Sequence, residues 1–170
     1  MFQPGEYVLY GLHGVCRILC YEMHDSRENA TEYYVLEPVD QVGTRYYIPI
    51  HKAAADQLRA IMTPEELVGI IRSSTCDDPW IDNINLRKQH YRQILCSGNR
   101  ADLIKMMQIV CARREQLQAA RRRLPQCDEG FLKDAKRILD AEFALVFGLP
   151  SDQVVTYIQN DVPDNQEFLL

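Results

Sequence analysis

Residues 51–70, "HKAAADQLRAIMTPEELVGI", decide how the chain folds, because the hydrophobic period changes inside them. Before this stretch apolar residues follow the spacing of two that suits a strand, and after it they recur at about 3.6, the spacing of an amphipathic helix. The helix start is explicit. Thr63 stands as N-cap, Pro64 takes the first helical position, and Glu66 lies where a capping box places its carboxylate. The chain is therefore expected to be α+β, strand-built first and helix-built second, with the two parts joined near residues 52–62.

Working back from the change of period, "EYVLY", "GVCRILCYEM", "EYYVLEPV" and "TRYYIPI" are rich in Val, Ile and Tyr and separated by Gly, Asp, Asn and Ser. Four or five short strands of this kind predict a small β-barrel. "HDSRENAT" reads as an exposed hairpin tip and "DQVG" as a tighter turn. Cys16 and Cys20, four apart on one predicted strand, are expected on the same face, in core packing rather than in a zinc knuckle.

Working forward, the helix start is repeated at "DPW", with Asp78 as the expected cap, Pro79 next and Trp80, the single tryptophan, in the first exposed turn. "SGNRAD" ends one helix at Gly98 and begins another at Asn99. Leu103, Met106, Val110, Arg114 and Leu117 then share one stripe, apolar except for the arginine. After the break "RRRLPQCDEG", a further stripe joins Phe131, Ala135, Ile138, Leu139, Glu142, Phe143 and Val146. "SDQVVTYI" predicts a short last helix, giving a compact bundle of about five. The expected division is residues 1–55 for the β part, 56–160 for the all-helical part and 161–170 for a flexible acidic tail.

Composition narrows the function classes. With 46% hydrophobic and 25% charged residues, the chain is of ordinary globular type, and it has no apolar run of the roughly 20 residues that a membrane span needs. Its start lacks the pattern of a secretory signal, so a cytoplasmic location is expected. Six cysteines without a CxxC pair suggest neither a disulfide framework nor a metal site, and no cofactor is expected. The net charge of −5 conceals an asymmetry: from Arg87 to Arg137 there are 13 Lys and Arg against 5 Asp and Glu, whereas the residues from Ile138 onward carry six acids and no Lys or Arg. From charge alone the basic middle is either a solvated helix face or a phosphate-facing surface.

The opening "FQPGEYVLYGLHGVCRI" is similar to the F-x-x-G-(D/E)-x-V-x-Y-x-x-H-G-V-x-x-I signature of the CarD-like transcription regulators, shared with the polymerase-interacting module of the transcription-repair coupling factor. "EYYVLEP" followed by "YYIPI" resembles the strands that close that family's Tudor-like, SH3-like barrel. "RKQHYRQILCSGNRADLIKMMQIVCARRE" and "DAKRILDAEFALVFGL" resemble the helical DNA-binding domain of the CarD-like proteins rather than the coupling factor's helicase motor.

The resemblance implies that the barrel binds the β subunit of bacterial RNA polymerase. It also implies that the helices contact promoter DNA at the upstream edge of the transcription bubble, through minor groove and phosphates, and stabilise the open complex without strict sequence choice. Trp80 matches the family's minor-groove wedge, an indole suited to a distorted base step. Arg87, Lys88, Arg92, Arg113 and Arg114 are the expected phosphate contacts. On the barrel, His24 and Tyr47 stand where the family is often basic, with Arg27 and Arg45 as substitutes for that charge. A nucleoid-associated location through polymerase follows. Two other readings stay open: a protein-only adaptor that binds polymerase or another partner without DNA, and an enzyme using His13 and nearby cysteines. For the latter no pocket motif is visible.

Overall fold

The computed structural model describes residues 1–26, 29–53, 58–73, 78–150 and 153. They form two compact units, Met1–Ile61 and Met62–Leu170.

The first unit is one antiparallel sheet: β1 (Tyr7–Tyr10), β2 (Gly14–Ser26), β3 (Asn29–Pro38), β4 (Tyr46–Pro49) and β5 (Leu58–Ala60), in the order β4-β3-β2-β1-β5. All four strands read from the sequence are present. The fifth, β5, lies in the stretch read only as the join. It pairs with β1 from Val8↔Ala60 to Tyr10↔Leu58, so the chain divides between Ile61 and Met62 rather than at 55/56. The sheet is not closed, which corrects the expectation of a barrel: β4 and β5 are its two edges.

The period of two buries Val8, Cys16, Ile18, Tyr34, Leu36, Ile48 and Leu58 in a single cluster, against which Phe2, Tyr10, Tyr21 and Tyr46 pack. A bulge between Ile18 and Cys20 breaks the phase of β2. Cys16 pairs with Pro38 but Cys20 with Val35, so the two cysteines face opposite sides of the sheet, contrary to a reading that assumed an unbroken strand. The bulge also decides what the far end of the hairpin presents, since every side chain from Cys20 to His24 changes face with it.

The second unit contains α1 (Pro64–Ser73), α2 (Ile84–Ser97), α3 (Arg100–Ala119) and α4 (Gln126–Phe147). The helix count among the described residues is four. The expected fifth helix, at 151–158, and the acidic tail lie outside the described residues apart from Gln153. The capping box forms as read: Glu66 Oε2 accepts from the Thr63 N–H at 2.8 Å, and Thr63 Oγ1 accepts from the Glu66 N–H at 3.3 Å. Gly98 closes α2 at φ 63°, and the Asn99 side chain accepts from the Ala101 and Asp102 N–H groups to start α3.

One boundary differs. Residues 78–83 are not helical, and α2 begins behind Asn83, whose Oδ1 accepts from the N–H groups of Asn85 and Leu86 at 3.0 and 3.2 Å. Asp78 precedes a proline and is thereby pushed toward extended backbone, while Asn83 satisfies two orphan donors at once. Trp80 therefore lies on a non-helical segment ahead of the helix.

The core of this unit is built on both stripes read from the sequence. Leu103, Met106, Val110 and Leu117 of α3 are buried, as are Ala135, Ile138, Leu139, Glu142 and Phe143 of α4. Ile104, Met107 and Cys111 add a second buried side to α3, which packs against α1, α2 and α4.

One side chain works against this core. Asp140 Oδ1 is buried with no hydrogen-bond partner among the described residues, and burial pushes the carboxyl pKa up, opposed by Lys136 at 3.9 Å. A raised folded-state pKa favours the neutral acid, so the contribution is present at low pH and lost as pH rises through that pKa. Asp140→Asn is accordingly expected to stabilise the protein at pH 7 by ~0.5–1 kcal/mol, with the gain vanishing as pH falls into the carboxyl range. Unfolding midpoints of both proteins across pH 3–7 check this.

Candidate functional site

Two surfaces carry the residues singled out from the sequence, one on each unit. On the sheet, the register Glu22↔Tyr33, His24↔Thr31 and Val35↔Tyr47 brings neighbouring strands together beyond the bulge. The His24 ring packs on Tyr33 at 5.0 Å and on Tyr47 at 5.5 Å between centroids, and its Nε2 lies 3.4 Å from Glu22 Oε2. Tyr47 is 44% exposed and His24 is exposed too, so a row of aromatic edges with one carboxylate faces solvent. Large rigid aromatics with polar tips are what protein interfaces enrich. The sequence named His24 and Tyr47 separately; Tyr33 and Glu22 complete the cluster and become visible only when the hairpin is paired strand to strand. Arg45 is exposed just ahead of β4, and Arg27 lies outside the described residues.

His13 is accounted for within the sheet unit. It packs on Tyr10 and Tyr46 at 4.9 and 4.1 Å, at the turn between β1 and β2. Cys16 and Cys111 are buried, and burial pushes the Cys111 thiol pKa up, which lowers its thiolate fraction. Among the described residues no group of three or more His, Cys, Asp or Glu is placed to hold a metal ion.

On the helical unit, Trp80 is half-buried and two guanidiniums lie over its ring, Arg87 at 4.2 Å and Arg113 at 5.4 Å from the centroid. The two are held differently. Arg87 is 3% exposed: Nε and Nη2 donate to Asp128 Oδ1 and Oδ2 at 2.9 and 2.8 Å, and Nη1 donates to the carbonyls of Ile81 and Asp82 at 2.6 and 3.3 Å. Asp128, fully buried in the first turn of α4, holds the guanidinium pKa above its ordinary value, against an opposing effect of burial. Arg113 donates to Gln116 Oε1 at 3.2 Å and remains partly exposed.

Arg87, expected among the phosphate contacts, is thus committed inside the protein, because its fork finds a carboxylate and two carbonyls there. Its neighbour Lys88 is exposed, as the helical step of about 100° requires. Lys88 and Arg92 lie one turn apart along a shallow groove of α2, with Asn85, Gln89 and Gln93. Arg114 is partly exposed, with Nη2 3.8 Å from Cys111 Sγ. Asp128 had no signal in the sequence: it stands 41 positions from its partner.

Residues 2–62 match the family model described as the CarD-like/TRCF RID domain, of a CarD-like RNA polymerase-interacting family. No curated protein matches the chain.

Proposed function

Because residues 2–62 form a domain of the CarD-like/TRCF RID family, we propose that this chain is a non-enzymatic transcription regulator. Its sheet unit docks on the β subunit of bacterial RNA polymerase. Its helical unit contacts promoter DNA at the upstream edge of the bubble and stabilises the open complex. The domain match carries this reading; the exposed His24 and Tyr47, packed about the half-buried Tyr33, support this docking surface, with Arg45 beside β4 as a charged supplement.

On the DNA side the half-buried indole of Trp80 is the wedge, while Lys88, Arg92, Arg113 and Arg114 reach phosphates and carry no base information. A weak DNA contact suffices, because docking on polymerase gives the helical unit a high effective concentration at the promoter. Favouring the melted state by about 1.4 kcal/mol shifts the open-to-closed ratio tenfold. The protein works in the cytoplasm, on the nucleoid through polymerase, and needs no cofactor.

Full-length protein with His24→Ala and Tyr47→Ala is expected to lose about tenfold or more in affinity for polymerase, as when an aromatic anchor is truncated. Unchanged affinity would remove the cluster from the docking surface. The second reading, an adaptor that never touches DNA, is favoured by the net charge of −5 and by the burial of Arg87. It is separated by salt: replacing Lys88 and Arg92 by Gln lowers the salt slope of promoter binding by about 2 if both touch phosphates, and leaves it unchanged in an adaptor.

A further inference from the structure

We infer that Arg87 and Asp128 form the mount that sets the position of the Trp80 indole, so that Arg87 serves the DNA contact as a positioning residue without reaching DNA. The inference rests on the reading of Trp80 as the wedge, and it deepens that reading by naming what holds the wedge in place.

Among the described residues, the segment bearing Trp80 is met by the side chains of Arg87 and, over the ring at 5.4 Å, Arg113. It is neither helix nor strand, and Asp78, Pro79 and Ile81 border an open cavity of about 400 Å³ that α2 and α3 line from the other side with Tyr91, Ile94 and Met106. Apolar packing beneath the segment is therefore incomplete. Arg87 supplies the missing constraint from one side chain: Nη1 takes the carbonyls of Ile81 and Asp82, while the guanidinium face lies 4.2 Å from the indole centroid. Its own plane is fixed by two parallel bonds to Asp128, a buried carboxylate on a different helix. Backbone and ring are thus both registered to the join of α2 and α4. A side chain ordered before binding loses less freedom on binding, which is how such a mount would raise the yield of each indole–base contact.

The geometry depends on the planar fork and not on charge alone, so Arg87→Lys is the diagnostic change. A lysine keeps the positive charge but cannot span the carboxylate and both carbonyls while covering the ring. Since Trp80 is the only tryptophan, its fluorescence reports the mount in the free, full-length protein. The expected result for Arg87→Lys is a protein that retains its helical circular dichroism, shows an indole more readily quenched by acrylamide, and extends open-complex lifetime several-fold less than the parent. Should the lysine variant fail to fold, the double variant Arg87→Met, Asp128→Leu removes both charges together and leaves no buried ion unpaired. It is expected to fold and to show the same rise in quenching.

Unchanged indole quenching in a folded variant would overturn the inference, whatever happens at the promoter. Raised quenching with no effect on lifetime, together with an inert Trp80→Ala, would uphold the mount and remove the DNA role of the indole.

Discussion

Glu142→Ala is expected to lower the stability of the helical unit by about 3–5 kcal/mol. Glu142 is fully buried on the inward stripe of α4, and Arg100, 7% exposed, starts α3. Arg100 Nε lies 3.2 and 3.0 Å from the two carboxylate oxygens, Nη2 donates to Oε1 at 2.7 Å, and Nη1 reaches the Gly98 carbonyl at 3.3 Å. Glu142 Oε1 also accepts from the N–H of Met62, the first residue of the unit. Deleting the carboxylate strands a guanidinium in the interior and orphans a backbone donor, and both costs exceed what the intact pair gains over an apolar one.

For a unit of this size a loss of that order lowers the midpoint of thermal unfolding by roughly 10–20 °C. Circular dichroism at the helical minimum reads it directly. The double variant Arg100→Met, Glu142→Leu is expected to recover most of the loss, since no buried charge then lacks a partner; a double variant as unstable as Glu142→Ala would show that volume rather than charge is at issue.

Both buried pairs show where reading from sequence stops. The stripe containing Glu142 was legible, because a glutamate at an inward helical position follows from a period of 3.6, and so were the caps at Thr63, Gly98 and Asn99. The choice between Arg87 and Lys88 was not. Adjacent residues on a helix are distinguished only by what lies opposite, and Asp128 comes from a different helix. Asp78 against Asn83 as the cap of α2 was a contest between two good capping residues, decided by tertiary placement of the intervening segment. On the sheet, β5 was too short to show alternation and the bulge at Leu19 left no mark in the alternation, yet together they fix where the unit ends and which residues share a face with His24. Residue types for the docking cluster were legible singly; their convergence needed the register.

The second large expected effect concerns Trp80. Truncation to alanine removes the indole while leaving Arg87 paired with Asp128, because the bidentate bonds and both carbonyl contacts do not involve the ring. The fold is therefore expected to survive with a loss of ~1–2 kcal/mol, because the indole is half-buried and its cation–π partner Arg87 is largely desolvated. Docking is expected to be untouched, since the residues assigned to it belong to the sheet unit. Only the contact with melting DNA is lost. A base-stacking contact of about 1–3 kcal/mol corresponds to roughly a tenfold change or more in open-complex lifetime.

The measurement that bears most directly on the whole account is that lifetime, taken on one promoter with the cognate bacterial polymerase saturated by either protein. The account predicts that the parent chain lengthens it, and that Trp80→Ala binds polymerase equally well but lengthens it about tenfold less. Equal lifetimes with the two proteins would contradict it, and the adaptor reading would take its place.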